Sequence, residues 1–192
     1  MNKVVVCGVN TIEGILAGGP DAVRRVFGDA VIASPWWLIS VLSGVGRPWW
    51  PVGRLHGLNC QGVLSLAADD IVPSPAFQTE EGLRRVERSY RLFGERHAEN
   101  VVAFLRNIPP SGPDRLVVHC EGGISRSSAV ARFAAEWRFG LDPDVDPGIK
   151  SVDGMLFQPN PIVANRLRAE VGIPLISFAQ TEILERTLKQ RT

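Results

Sequence analysis

One short stretch of this chain groups residue types that chemistry requires. The chain holds only three cysteines and three histidines, yet His119 and Cys120 are adjacent in the stretch 118-VHCEGGISRSS-128. Two glycines follow shortly after them, and Arg126 stands between two serines. A thiolate is the nucleophilic form of cysteine, and an arginine guanidinium can bind two oxygens of one phosphate. The stretch therefore predicts a nucleophile beside an anion site.

The stretch lies at the junction of two predicted elements. The apolar run 115–120 predicts a buried strand, and 126–140 predicts a helix that ends at Gly140. A turn between a strand and a helix directs backbone N–H groups into one concavity, with the positive end of the helix dipole behind them. Gly122 and Gly123 keep side chains out of that concavity. Such a loop binds a phosphate-sized anion.

The same geometry favours one reaction at Cys120. Helix N-termini and neighbouring cations favour a thiolate over a thiol. A thiolate at the floor of a phosphate site can attack phosphorus in line, which gives a cysteinyl-phosphate that water then hydrolyses. Because the N–H groups and Arg126 hold the other phosphate oxygens, this reaction requires no metal and no cofactor.

The motif from His119 to Ser127 resembles the signature loop of the cysteine-dependent protein tyrosine phosphatases, most of all their compact dual-specificity branch. Two further segments, 69-DDI-71 and 158-QPNPIVANRL-167, are similar to segments of small bacterial members of that superfamily. The resemblance implies a phosphatase domain of the α/β class. It also implies a phosphorylated substrate, either a phosphoprotein or a small phosphoester.

The resemblance assigns roles to individual residues. Cys120 would be the nucleophile, and Arg126 would clamp the phosphate. Ser127 would hydrogen-bond the sulfur and ease its departure, while His119 would orient the loop and favour the thiolate. The phosphate would be bound by the loop residues, which are Glu121, Gly122, Gly123, Ile124, Ser125 and Arg126.

Cleavage of a phosphate ester also needs a proton for the leaving oxygen. The family supplies it from an acid in a separate upstream loop, where Asp70 occupies the matching place and Asp69 is the second candidate. The interval from Asp70 to Cys120 is longer than is usual in the family, and the extra length lies in 72–96. A solvated turn aspartate is the alternative interpretation of Asp70.

The segment 72–96 also carries a basic helical face, which either selects an acidic substrate or is simply solvated. Its residues are Arg84, Arg85, Arg88 and Arg91.

The whole chain has the size and composition of one globular domain. Its 192 residues, 45% hydrophobic and 21% charged, predict a single domain spanning 1–192. Besides the strand and helix around Cys120, the pattern predicts strands at 3–8 and 62–67 and helices at 20–27, from Thr79 through Phe93, and over 101–108. We therefore expect an α/β fold with a central, mostly parallel sheet flanked by helices, and with the anion site at the carboxyl ends of the strands.

Two tryptophan pairs stand near the proline- and glycine-rich stretch 47–57, which predicts no regular element. The pairs are Trp36-Trp37 and Trp49-Trp50. We expect them in the core, because aromatic side chains bury much of the apolar area of a small domain.

Charge and cysteine usage limit the partners. A net charge of +1 gives no overall field that recruits nucleic acid or an anionic membrane. The start shows no secretory signal pattern, and the longest apolar run, 30–46, is too short for a membrane span. Three scattered cysteines predict neither a disulfide framework nor a zinc site. We expect a cytoplasmic protein without nucleic-acid or membrane partners, and the sequence predicts no oligomeric state.

Three functions remain open from the sequence. The first is metal-independent hydrolysis of phosphate monoesters by a protein tyrosine or dual-specificity phosphatase, or by a phosphatase with a non-protein substrate such as an inositol phosphate. The second is a phosphate-binding regulatory module that turns over slowly because its acid is misplaced. The third is a redox or arsenate-handling thiol protein, which requires Cys7 or Cys60 close to Cys120.

Overall fold

A five-stranded sheet forms the centre of the protein in a computed structural model, which describes residues 4–28, 34–43, 52–71, 80–109, 115–141, 148–154 and 157–176. The strands are β1 (Val4–Gly8), β2 (Trp36–Leu42), β3 (Cys60–Ala67), β4 (Arg115–Cys120) and β5 (Ile149–Ser151). Their order is β3-β2-β4-β1-β5, and each neighbouring pair is parallel. The predicted α/β fold with a central sheet flanked by helices is confirmed.

Six α-helices occur among the described residues. They are α1 (Val9–Phe27), α2 (Val52–His56), α3 (Glu80–Ser89), α4 (Glu95–Arg106), α5 (Arg126–Phe133) and α6 (Pro161–Glu170). A π-helical turn, Ala134–Arg138, extends α5. Helices α4, α5 and α6 cover one face of the sheet, while α1 and α2 contribute to the core on the other face.

Strand residues alternate between these two cores. Val6 and Val118 pack in the core beneath α4, α5 and α6, whereas Val5, Cys7 and Val117 pack in the core on the α1 side. Because both faces are covered, β1 is buried at every position, as parallel strands usually are. The carboxyl ends of β2, β3 and β4 are thus held side by side, and the loop that contains Cys120 to Arg126 starts from this edge of the sheet.

Several predicted elements are confirmed. Strands β1, β3 and β4 occur where 3–8, 62–67 and 115–120 predicted them, within two residues at each end. Helix α5 with its π-helical extension matches the predicted helix 126–140, and Gly140 ends it with a φ of 63°. Strands β2 and β5 were not predicted.

Other element predictions were wrong or incomplete. The stretch 47–57 contains α2, which forms because the prolines of this stretch precede the helix and Leu55 is fully buried. The predicted helix 20–27 is only the second half of α1, which kinks at Gly19. The helix predicted from Thr79 through Phe93 extends too far, because α3 ends at Ser89 and the following Tyr90 is 50% exposed.

The first tryptophan pair lies in the core as predicted: Trp36 is fully buried, and Trp37 packs partly buried against the core. The predictions for Trp49-Trp50 and for the N-cap Thr79 fall outside the described residues. Within the described ranges, none of the helices combines the length and the apolar character needed to cross a bilayer.

Candidate active site

Cys120 is the last residue of β4 and lies at the floor of the loop, with 1% of its surface exposed. Its Sγ atom lies 3.1 Å from the Oγ atom of Ser127, which is fully buried in the first turn of α5. The strand therefore delivers the thiol, and the helix delivers a hydroxyl that can hydrogen-bond it. These two predicted site residues are brought together.

The loop between β4 and α5 turns its carbonyl groups outwards. The carbonyl oxygen of Glu121 accepts from the Val9 N–H, that of Ile124 from the Gln158 N–H, and that of Ser125 from the Asn160 N–H. In a trans peptide the next N–H points the opposite way, and the described chain has no cis peptide bond. The N–H groups that follow these three carbonyls therefore face the concave side, as an anion-binding loop requires.

Gly123 is the residue of the loop that must be glycine. Its φ is 71°, and an added Cβ atom would lie 2.7 Å from the carbonyl carbon of Cys7 and 2.8 Å from the nitrogen of Gly8. The loop thus crosses directly over the end of β1. Gly122 is exposed, and the nearest atom to a Cβ there is the Ile124 Cδ1 atom at 3.7 Å. Of the two predicted glycines, only Gly123 is required by its surroundings.

Arg126 closes the loop and is 3% exposed. Its Nη1 donates to the carbonyl oxygen of Ala68 at 2.6 Å and to the Oγ atom of Ser43 at 3.2 Å, and its Nη2 donates to the carboxylate of Glu121. Its Nε is buried and has no hydrogen-bond partner within the described chain. Protein groups therefore hold the guanidinium by its two terminal nitrogens. The Nε–H remains available to an oxygen of a bound anion.

Glu121 folds back onto this guanidinium and was predicted only as part of the phosphate-binding loop. One carboxylate oxygen contacts Nη2 of Arg126, and the other accepts from the Ser43 N–H at 2.5 Å. Burial by itself raises the pKa of Glu121, but the Ser43 N–H and the Arg126 charge outweigh burial. The pKa of Glu121 is consequently lowered, so that the carboxylate stays ionised and paired with Arg126.

Asp70 reaches the loop across the long interval in sequence. Its Oδ1 accepts from the Ser125 hydroxyl at 2.7 Å and from the Asn160 Nδ2 at 2.9 Å. Its Oδ2 lies 3.7 Å from the Nε of Arg126. The long interval therefore does not separate the carboxyl of Asp70 from the loop.

Asp69 faces elsewhere. Its Oδ2 accepts from the Arg91 N–H at 2.7 Å, and its own N–H donates to the Arg91 carbonyl oxygen at 2.8 Å. Both contacts bind it to the segment after α3. Of the two candidate acids, only Asp70 contacts the loop in this structure.

His119 does not line the loop. It is fully buried in β4, in register with Cys7 on β1 and with Ser40 on β2. Strand alternation puts its side chain on the face of Cys7, opposite to that of Cys120.

Two residues of the site were missed in the sequence. Ser43 follows β2 and contacts both Glu121 and Arg126, but an isolated serine after an apolar run carries no signal for such a role. Asn160 contacts Asp70 and begins α6. Its position before Pro161 is a helix N-cap signal that could have identified the helix start, although not the contact with the acid.

The other two cysteines are not placed to form a disulfide with Cys120. Cys7 lies on the neighbouring strand with its side chain on the opposite face, and Cys60 begins β3 at the other edge of the sheet. A disulfide requires Cβ atoms that point towards each other. Burial raises the pKa of the Cys60 thiol to about 12, and burial together with the charges of Asp153 and Cys120 raises that of Cys7 still further. Neither thiol is activated as a resolving cysteine.

The arginines of the predicted basic face are exposed where the structure describes them, and Arg91 lies beyond the end of α3. Arg85, Arg88 and Arg91 are all exposed to solvent, and the side chain of Arg84 falls outside the description. Within the described residues, no three or more histidine, cysteine and acidic side chains cluster closely enough to hold a metal ion.

Comparison with known proteins found similarity among solved structures. No protein-family model matches the chain, and no curated protein matches it significantly. A solved structure described as "Crystal structure of Tk-PTP in the active form" is similar, with 17% sequence identity and a TM-score of 0.31. The match covers 85% of this chain and 84% of that chain. At this TM-score the similarity supports no conclusion about fold or activity.

The crowding above Gly123 generates the first prediction. Gly123→Ala places a side chain against the backbone of Cys7 at a positive φ, and we expect it to lower the free energy of unfolding by about 2 kcal/mol or more. Gly122→Ala is the matched control, and its free energy of unfolding should change by less than about 0.5 kcal/mol. Urea unfolding measures both variants. Equal losses in the two would contradict the described path of the loop.

The lowered pKa of Glu121 generates the second prediction, tested with Glu121→Gln. A carboxyl whose folded pKa is lowered stabilises the fold fully above its ordinary value, 4.5, and loses that contribution as the pH falls through the lowered value. We expect the wild type to be more stable than the variant at pH 7. The difference should shrink between about pH 5 and pH 3. Urea unfolding across this range measures it, and a difference independent of pH would refute the ionised Glu121–Arg126 pair.

Proposed function

We propose that the protein hydrolyses phosphate monoesters through a cysteinyl-phosphate on Cys120, without a metal ion. The observation that carries this proposal is the convergence at one loop of a thiol, a hydroxyl 3.1 Å from it and a buried guanidinium. The Nε of Arg126 has no hydrogen-bond partner among the described residues. An anion with several oxygens matches this arrangement, because inward N–H groups and Nε hold oxygens while the thiolate faces phosphorus.

The first chemical step transfers the phosphoryl group to the enzyme. The Cys120 sulfur attacks phosphorus, and the bond from phosphorus to the leaving oxygen breaks. Asp70 gives its proton to that oxygen, so that an alcohol or a phenol departs and Asp70 becomes a carboxylate. Arg126 and the loop N–H groups hold the three equatorial oxygens throughout this step.

The second step releases phosphate. The Asp70 carboxylate takes a proton from a water molecule whose oxygen attacks phosphorus, and the bond from phosphorus to sulfur breaks. The Ser127 hydroxyl donates a hydrogen bond to the departing thiolate, which stabilises it as a leaving group. The proton taken from water restores the neutral acid form of Asp70, and the enzyme is in its starting state once phosphate leaves.

The contacts of Asp70 favour catalysis over the rival function of a slow phosphate-binding module. That rival was motivated by the long interval between Asp70 and Cys120. Hydrogen bonds from Ser125 and Asn160 hold the Asp70 carboxyl beside the loop. The long interval is therefore no longer a reason to expect a misplaced acid. The redox alternative is disfavoured by the positions of Cys7 and Cys60.

The resemblance of the signature loop supports a phosphoprotein as the substrate, and thus a protein tyrosine or dual-specificity phosphatase. A small phosphoester such as an inositol phosphate is the alternative substrate of the same site. The proposal takes 1–192 as a single phosphatase domain.

Cys120→Ser tests the nucleophile. With para-nitrophenyl phosphate and a chelator present, between pH 5 and 8, we expect the wild type to turn over and the variant to show no turnover above background. The measurement is the release of para-nitrophenol. Vanadate or phosphate binding without any turnover in the wild type would instead identify the loop as a phosphate receptor and end the enzyme proposal.

Asp70→Asn tests the acid, with Asp69→Asn as the matched control. A poor leaving group such as phenol needs a proton, whereas 2,4-dinitrophenol departs readily without one. We expect Asp70→Asn to lower kcat/KM, which reports the first chemical step and not the second, by about 10²- to 10⁴-fold for phenyl phosphate and much less for 2,4-dinitrophenyl phosphate. Asp69→Asn should leave both rates near those of the wild type, since the Asp69 carboxyl is bound to Arg91. The reverse ranking of the two variants would assign the acid to Asp69.

A further inference from the structure

Asn160 is a buried polar residue that connects residues 69–71, called the acid segment below, to the loop between β4 and α5. It is 2% exposed and stands immediately before α6. Its Nδ2 donates to the Asp70 Oδ1 at 2.9 Å and to the carbonyl oxygen of Ile71 at 3.0 Å. Its backbone N–H donates to the carbonyl oxygen of Ser125 at 3.1 Å. One residue thus contacts both the carboxyl of Asp70 and the backbone of the signature loop.

The helix determines which way the Asn160 amide points. Its Oδ1 accepts from the N–H groups of Ile162 and Val163 at 3.0 and 3.2 Å, which makes it the N-cap of α6. Only the oxygen end of the amide can accept these bonds, so the NH₂ end must face the acid segment. Both hydrogens and both lone pairs of the amide are then used. Rotating the amide by half a turn would break all four bonds and place an oxygen against Asp70.

This fixed amide in turn orients the carboxyl of Asp70. Oδ1 of Asp70 accepts two hydrogens, one from Asn160 and one from the Ser125 hydroxyl. A proton added to Oδ1 would meet these two hydrogens, so the proton of the neutral acid belongs on Oδ2. Oδ2 is the oxygen that lies 3.7 Å from the Nε of Arg126, on the side where the phosphate would bind.

We propose that Asn160 is the positioning residue for the acid: its capping amide holds the Asp70 carboxyl so that Oδ2 presents the transferable proton to the leaving oxygen. This inference rests on the proposed function, since it concerns proton delivery in that reaction. Asn160 touches neither the substrate nor the sulfur, and it acts through Asp70.

A purely structural role for Asn160 and a positioning role predict different experimental results. If Asn160 only caps α6 and holds the fold, its replacement lowers all activities in the same proportion. If it positions the acid, its replacement slows the first chemical step only for those esters whose leaving oxygen needs a proton. Two substrates with the same phosphoryl group and different leaving groups separate the two roles.

The experiment compares phenyl phosphate with 2,4-dinitrophenyl phosphate on the purified full chain. Asn160→Ser removes the NH₂ donor but keeps an N-cap residue. We expect it to lower kcat/KM for phenyl phosphate by about 10- to 100-fold, with kcat/KM for 2,4-dinitrophenyl phosphate within about twofold of the wild type. Asn160→Asp keeps both the cap and the side-chain length, and it should show the same selective loss if the serine variant does not fold.

Asn165→Ser is the matched control on the same helix. Asn165 is also buried, and its amide binds the backbone of Ile176 through two hydrogen bonds, away from the loop. This variant should lower stability without changing the ratio of the two rates. In a double-mutant cycle, Asn160→Ser should cause no further loss on phenyl phosphate once Asp70 is asparagine, because both changes remove one function.

The outcomes separate this inference from the proposed function. An active wild type with equal losses on both esters in the Asn160 variants, or with no loss, overturns the positioning role alone. The positioning role is also overturned if Asn165→Ser changes the rate ratio as much as Asn160→Ser does. A wild type without turnover, or turnover that survives Cys120→Ser, overturns the proposed function and this inference together.

Discussion

The buried guanidinium of Arg126 is the constraint on which the arrangement of the site depends. A cation that is 3% exposed must be paired and hydrogen-bonded, because an unpaired buried charge is costly. Its partners come from the carboxyl ends of three strands: Ser43 follows β2, Ala68 follows β3, and Glu121 follows β4. Pairing the charge of Arg126 thus requires three strands to end beside one another at the same edge of the sheet. The parallel order of the sheet makes this possible.

The same contacts distinguish the two terminal nitrogens of the guanidinium, which hold the fold, from Nε, which has no hydrogen bond to the described chain. Both terminal nitrogens are bound by protein groups, and the lowered pKa of Glu121 keeps its carboxylate available for that purpose. Nε is left with no hydrogen bond from the described chain, and the nearest acid oxygen, on Asp70, is 3.7 Å away. A ligand oxygen bound at Nε would therefore lie next to the carboxyl. The position of the acid relative to the phosphate follows from how the arginine is held.

Site residues that are close together in the sequence could be predicted from it, whereas those that meet only through long-range contacts could not. The thiol of Cys120, the guanidinium of Arg126 and the hydroxyl of Ser127 lie within eight consecutive residues, so the strand-loop-helix pattern was enough to predict their grouping. The partners of Arg126 are a carbonyl group and a serine on other strands, and their roles depend on strand register, which one sequence does not reveal. Strand β5 has three residues, too few for a periodic pattern. Strand β2 is buried at all but one position, and such apolar runs lack the alternation that marks a strand.

The long interval before Cys120 illustrates why distance along the chain is a poor guide to distance in the site. Asp69 exchanges two hydrogen bonds with the backbone of Arg91, so that the chain leaves the acid segment and returns to it at the same place. The carbonyl oxygen of Ala67 meets Nε2 of His97, whose Nδ1 accepts from the Gly94 N–H. Burial lowers the pKa of His97 and favours this neutral, bridging state. The entropic cost of closing such an excursion grows only slowly with its length. Extra residues between Asp69 and Arg91 therefore lengthen the sequence interval without moving Asp70 from the loop.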